Sequence, residues 1–491
     1  MRARPWAVPL AAALATLALL VPFVAVDPPT GVTFSDSPFT DEAWYLLGAR
    51  NLVLFGHWGG DDWRLHLLTL PYALLQAGTF AVLGVGIVQA RLTMIAATAL
   101  TAALLGAGLR RHFGAAPALV AALGFSTSSL VLYYGRLAYA ELLVAACLVA
   151  AALFSSGRDG SRPGRSGMLA GVALALAVGS KPTALAPALG ILLGVAISGR
   201  LDAPTRRWLG AASAVVALAA AAWAAMAWLP DPAALEAALR ILAPQELPRD
   251  LSQLVERAAA YALRNDGALA GSAPLLAAGM IGLVLTALGS RGGDPATRAG
   301  RPARTLVAAA AGWWLVGLAF LLVLSYRPNR YVVPLLPALA ILAGAGLQAL
   351  QERLRTANAP RLAPLALASV LVLLSGPGLI RYAGWLARTG SELPATQATV
   401  AGLVADGMAV EGAYAPAFAL AARSVILVSR PDSGINEGDL YAQRGVRWLV
   451  LGPGERPAWA DAHPEAWATR TERLCIPWGE THRPVCLLRL P

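Results

Sequence analysis

Apolar residues in this chain gather in runs of about 20, the length a helix needs to cross a hydrocarbon core of about 30 Å. Such runs lie at approximately 6–26, 90–109, 116–134, 138–155, 167–180, 183–198, 208–229, 272–289, 305–325, 331–349 and 362–380, and predict eleven membrane-spanning helices. A further apolar stretch, 66–87, fits either a span or a helix lying along the membrane surface. Charge arbitrates between them. With eleven spans and a cytoplasmic N-terminus, the loops holding Arg110 and Arg111, Arg158/Arg162/Arg165, Arg200/Arg206/Arg207, Arg291/Arg298/Arg301/Arg304 and Arg353/Arg355/Arg361 all fall inside, as the positive-inside rule requires. Counting 66–87 as a span would put every one of them outside, so it is read as a surface helix. The apolar run to Val26 is read as a retained signal anchor, because Asp27-Pro28-Pro29 is a poor cleavage site.

Composition agrees with this threading. The chain of 491 residues is 57% hydrophobic and 14% charged, whereas soluble domains carry roughly a quarter charged residues. Its net charge of +11 is accounted for by arginines in the short loops and calls for no nucleic acid. Lys181 is the single lysine among 39 basic residues. The threading places 27–88, with its surface helices, outside as a first outer loop, along with 230–271, the turns near 136 and 181, the Arg327 to Arg330 turn, and everything after 381.

The predicted architecture is a polytopic α-helical membrane region, 1–389, followed by a small extracytoplasmic α/β domain, 390–491. Strand-like runs in the tail are Val425 to Val428, Val446 to Leu451, Arg473 to Ile476 and Val485 to Leu490. Gly452-Pro453-Gly454 reads as a turn, since no nucleotide-binding glycine pattern opens a helix there. Trp448, Trp459, Trp467 and Trp478 fit core packing better than stacking on sugars. Cys475 and Cys486 are symmetric about the Gly479 to His482 turn, so a hairpin would bring them within disulfide reach in an oxidising compartment. Two free thiols, or a metal site with His482, are the alternatives. Cys147, inside a span, is read as packing.

Candidate chemistry concentrates on the outer side. After the first span, Thr40 reads as a helix cap, with Asp41 and Glu42 in the first turn and Tyr45 one turn on. Acids there also simply complement the helix dipole. Arg136, Tyr139 and Glu141 lie at the outer end of a later span, and Lys181 sits between two apolar runs. Arg327, Arg330 and Tyr331 supply two guanidiniums suited to bidentate phosphate contact. Carboxylates and cations from distant helices on one face are what group transfer from a lipid phosphate requires.

These residues, in this order and on this side, resemble the GT-C glycosyltransferases of the protein O-mannosyltransferase and lipid A aminoarabinose transferase type. The likeness covers residues 1 to about 350 and is carried by Asp41-Glu42 with Tyr45, Arg91, Arg136 to Glu141, Gly179-Ser180-Lys181, and Arg330-Tyr331 with Pro334 and Pro337. It departs from the family at His66, which precedes Leu-Leu-Thr-Leu and a single Pro71, and at Glu141, where aspartate is common. The resemblance implies a GT-C-like fold and an inverting glycosyltransferase. It would move a sugar from a polyprenyl-phosphate donor within the membrane to a hydroxyl of a protein, lipid or glycan acceptor. Asp41 would be the catalytic base, with Glu42 orienting it or binding a sugar hydroxyl. Lys181, Arg327 and Arg330 would bind the donor phosphate, supported by Tyr45, Arg136, Tyr139, Glu141 and Tyr331. No cofactor is demanded by the sequence, although Glu141 could help to hold a divalent cation, as second-loop acids do in some relatives. The alternatives are a lipid or sugar transporter or flippase, and a scaffold for the tail. Clustering of ionisable groups at span ends and the lack of a repeat favour the enzyme over a transporter.

Overall fold

The computed structural model describes residues 4–27, 38–59, 61–159, 162–241, 248–263, 268–289, 300–324, 326, 328–429, 435–436, 438–452, 454–478 and 483–491. Each of the eleven apolar runs folds as helix, some with breaks. Six of the described helices are long and apolar enough to cross a membrane: Ile87–Phe113, Pro182–Gly199, Ala203–Ala227, Arg301–Val323, Asn329–Thr356 and Leu362–Leu386. Ala7–Phe23, Ala115–Ser126, Glu141–Ser155 and Ser272–Leu285 are shorter apolar helices. The run 116–134 divides into Ala115–Ser126 and Ser129–Tyr134.

The ambiguous stretch 66–87 becomes two helices, Leu65–Leu68 and Leu70–Leu83. The second, 14 residues, is about 21 Å long, less than a hydrocarbon core. Tyr72, Ala73, Gln76, Ala77 and Phe80 form its buried face, while Leu74, Val82 and Leu83 are exposed. The outer segment 230–271 holds two helices the apolar pattern did not announce, Pro232–Ile241 and Leu251–Leu263.

Small residues let the helices approach closely, as expected where lipid supplies no hydrophobic drive for association. Gly190 and Gly194, spaced as GxxxG, pack on the helix Arg301–Val323. A Cβ at Gly190 would meet the Gly312 carbonyl oxygen at 2.3 Å, and one at Gly194 the Ala308 carbonyl oxygen at 2.1 Å. Only glycine fits at either position.

The tail forms a five-stranded sheet of β1 (Ala409–Glu411), β2 (Val425–Leu427), β3 (Trp448–Leu451), β4 (Thr471–Trp478) and β5 (Arg483–Arg489), in the order β2-β1-β3-β5-β4. β1 runs parallel to β2 and β3, and β5 is antiparallel to β3 and β4. Cys475 and Cys486 are direct partners across β4 and β5 and are joined by a disulfide. Trp448 is buried in the sheet. The Trp478 side chain and His482 lie outside what is described.

Bonds between residues 27–88 and the tail hold this sheet in place, among them the following. Arg50, fully buried, donates to the Leu420 and Ser424 carbonyls at 2.8 Å each and to that of Ala422. Trp44 Nε1 donates to the Ala413 carbonyl at 2.9 Å. Asn436 Nδ2 donates to Asp61 at 3.0 Å, and its backbone N–H to Asp62 at 3.1 Å. Asp27 accepts from the N–H groups of Glu392 and Leu393, at 2.6 and 3.3 Å, capping the helix Glu392–Leu403 that leads into the sheet. Burial holds the Asp27 carboxyl up at about 6, against the pull of Arg91 and of those N–H groups.

Candidate active site

The helix carrying the acidic pair runs from Pro38 to Phe55. It therefore starts two residues before Thr40, which lies within the helix and is not its cap. Proline is well suited to a first helical turn because its missing N–H has no intrahelical partner there. Asp41 keeps its place in the first turn.

Successive helical residues point about 100° apart, and the two acids accordingly enter different networks. Glu42 is fully buried and bidentate with Arg91, at 3.0 Å to Nε and 2.7 Å to Nη2, and it also accepts from the Ala138 N–H at 2.6 Å. Both its oxygens are engaged. Of the two roles expected for it, binding a sugar hydroxyl finds no unengaged oxygen here, while orienting Asp41 could act through the helix they share. Arg91 Nη1 in turn holds the carbonyls of Val24 and Val26, both at 3.1 Å.

Asp41 faces the other way. Its Oδ2 lies 2.6 Å from Arg330 Nη1, and its side chain is 13% exposed, against 5% for Arg330 and none for Glu141. Arg330 Nε lies 3.2 Å from Glu141 Oε1, and its Nη2 donates to the Tyr326 hydroxyl at 3.2 Å. Lys181 Nζ pairs with the same Glu141 oxygen, lies 3.4 Å from the Tyr45 hydroxyl, and sits 4.6 Å from the centre of the Tyr331 ring. Tyr139 and Tyr331 pack beneath the Arg330 guanidinium, with ring centres 5.2 and 5.5 Å away. Burial pushes the Tyr45 phenol above its usual range, so it is present as a neutral donor. Glu141 Oε2 is buried and has no hydrogen-bond partner among the described residues.

The structure thus brings Asp41, Tyr45, Tyr139, Glu141, Lys181, Arg330 and Tyr331 together from four stretches of chain. Arg136 is elsewhere: its guanidinium binds the carbonyls of Val26 and Asp27, the latter at 3.1 Å, securing the end of the first helix. Arg327 lies outside the described residues. Tyr326 was not singled out in the sequence, although it opens the same short segment that carries Arg327 and Arg330. Of the two Glu141 oxygens, Oε1 lies between the cationic groups of Lys181 and Arg330. Among the described residues the one convergent group of possible metal ligands is Glu472, Cys475 and Cys486, whose sulfurs are joined to each other.

A pocket lined by Ala184, Pro187, Phe320, Leu321, Pro334 and Leu335 adjoins this cluster and shares Tyr331 with it. No charged side chain of the cluster lines this small pocket, and Tyr331 is the residue common to both.

Comparison with known proteins bears on the fold. Residues 69–228 match the family model described as dolichyl-phosphate-mannose-protein mannosyltransferase. No curated protein sequence matches the chain significantly. Among solved structures, ArnT from Cupriavidus metallidurans bound to undecaprenyl phosphate superposes with a TM-score of 0.65 at 15% identity, covering 98% of this chain and 97% of that one. The archaeal oligosaccharyltransferase AglB from Archaeoglobus fulgidus, in complex with an inhibitory peptide and a dolichol-phosphate, gives 0.56 at 11% identity over 91% of this chain and 69% of its own. The arabinofuranosyltransferase AftD from Mycobacteria gives 0.54 at 18% identity over 98% and 40%. The chain has the fold of the GT-C glycosyltransferases. These matches lend no support to a transporter.

Proposed function

We propose that this protein is an inverting glycosyltransferase that moves a sugar from a polyprenyl-phosphate donor to a hydroxyl acceptor at the outer face of the membrane. The observation that carries the reading is the convergence of Asp41, Glu141, Lys181 and Arg330 beside an apolar pocket. Polyprenyl phosphates bound to ArnT and AglB support this donor class. The arginine-rich loops support a cytoplasmic N-terminus in a plasma membrane, and the disulfide supports an oxidising compartment for the tail. On this reading residues 1–389 are the catalytic membrane domain and 390–491 an outer domain.

In the reaction the acceptor oxygen attacks the anomeric carbon as the bond from that carbon to the phosphate oxygen breaks. The electron pair goes to the phosphate and the hydroxyl proton to Asp41. A carboxylate is a weak base toward an alcohol, so proton transfer is late, and neutralising the leaving phosphate supplies much of the acceleration. Lys181 and Arg330, with Arg327, perform that neutralisation. Arg330 is shared between Asp41 and Glu141, so an arriving phosphate competes for it and releases Asp41 Oδ2 toward the acceptor. Binding of donor before acceptor follows. Glu42 acts by holding the helix that presents Asp41.

The test is transfer of radiolabelled sugar from polyprenyl-phosphate donors to a cell-envelope extract by purified wild type and Asp41→Asn. Transfer by the wild type and its loss in a folded variant supports the reading. Transfer unaffected by the substitution removes Asp41 from its role.

A further inference from the structure

The transfer reaction leaves one buried acid unused. Glu411 ends β1, is 8% exposed, and has no hydrogen-bond or ion-pair partner among the described residues. Burial, followed by the nearby charges of Asp439 and Glu455, raises its carboxyl to about 7. Those two neighbours have structural employment. Asp439 accepts from the Ala442 N–H at 2.9 Å, capping a short helix, and Glu455 accepts from the Gly452 N–H at 2.9 Å. Glu411 has none.

Its position in the sheet is distinctive. In the order β2-β1-β3 the chain leaves β1 to one side for β2 and returns on the other side for β3. The carboxyl ends of β1 and β3 therefore flank the point where the winding reverses, the place where open α/β sheets hold ligands. On this face of the sheet, over Leu427, Leu449 and Leu451, lie the part-exposed rings of Tyr441 and Trp459. Their centres are 6.1 Å apart, and His463 is 4.5 Å from Trp459 and 3.6 Å from Asp439.

We infer that the carboxyl edge of β1 and β3 binds a neutral sugar, with the Glu411 carboxyl bonding its hydroxyls and the Tyr441 and Trp459 rings covering its apolar face. Three acids repel a phosphorylated ligand, and their oxygens do not converge as metal ligands do. Polyhydroxyl groups satisfy a buried carboxyl without adding charge, and sugar rings present C–H faces to aromatic side chains. The loop bearing Asp41 also touches this edge, since Trp44 holds the turn after β1 and Asp61 and Asp62 hold the segment before Asp439. A glycan seated here is therefore the acceptor, an identification that rests on the transferase reading above.

The experiment is saturation-transfer NMR on the full-length protein in detergent, without donor, using methyl glycosides of mannose, glucose, galactose and arabinose, with mannose 6-phosphate in a separate sample. At least one neutral glycoside should receive saturation, and Glu411→Leu should weaken that binding by about tenfold or more, as loss of a hydrogen bond to a carboxylate predicts. The variant should melt at or above the wild-type temperature at pH 8, because it removes a buried acid that lacks a partner. Binding unchanged in Glu411→Leu, response to mannose 6-phosphate alone, no binding at all, or a large fall in melting temperature would each overturn the inference. Because no donor is present, failure here leaves the transferase reading standing, and failure of transfer leaves this binding result intact.

Discussion

Asp41 and Glu42 are neighbours on one helical turn, yet they sit in networks of opposite character. Around Glu42 every oxygen has a donor and the pair with Arg91 is fully buried. Around Asp41 one guanidinium is divided between two carboxylates, an oxygen of Glu141 is left over, and the acid itself is partly open. A satisfied buried network fixes structure, whereas an unsatisfied one holds capacity that a ligand can use. On the function proposed above, the difference separates residues that build the site from residues that act in it.

Substitutions can break that contrast. The largest effect is expected for Asp41→Asn, which should lower transfer by about 10²–10⁴-fold, the usual contribution of a general base, while the melting temperature in detergent stays at or above wild type. Glu42→Gln should do the reverse. Leaving Arg91 buried without its partner costs about 3–5 kcal/mol, read as a fall in melting temperature and in recovered folded protein. If the two variants behave alike, the division is wrong. Lys181→Met should reduce kcat about 10²-fold, the scale for one electrostatic stabiliser, in assays with saturating donor; a change confined to KM would assign Lys181 to ground-state binding only. The smallest effect is at Asp27. Burial raises its carboxyl from the ordinary 3.8 to about 6 in the folded protein, so its neutral form is favoured by folding. That contribution is complete below about pH 4 and is lost as pH rises through 6. Asp27→Asn should therefore gain on the wild type by about 1–3 kcal/mol above pH 6 and match it near pH 4, as thermal melting across that range would show.

Much of this arrangement is legible in the sequence, because lipid imposes long apolar runs and the loop arginines predict which side each loop faces. The cluster of Asp41, Glu141, Lys181 and Arg330 could be proposed from side and order alone. Its pairings could not, since Arg330 and Asp41 are 289 residues apart and spacing carries no information on which cation meets which acid. Arg136 shows the cost. At a span end it looks like a ligand for phosphate, yet backbone carbonyls at the end of the first helix claim it. β1 escaped notice because three residues, Ala409 to Glu411, are too few for a periodicity, and Glu411 breaks the apolar pattern. The helices of 230–271 escaped because their apolar residues are one face of an otherwise polar segment, a signal masked by the search for long runs.

Arg50 has a consequence for the time at which the protein becomes complete. The carbonyl groups that it holds are 370 to 374 residues further along the chain. At roughly 5–20 residues per second the ribosome needs some tens of seconds to make that intervening length. Throughout that interval the helix bearing Asp41 has emerged but its guanidinium anchor has nothing to grip. The Arg50 end of that helix is therefore set last, whereas Glu42, at its other end, can meet Arg91 and Ala138 early in synthesis, and a chain abandoned early would keep the helix fastened at one end alone.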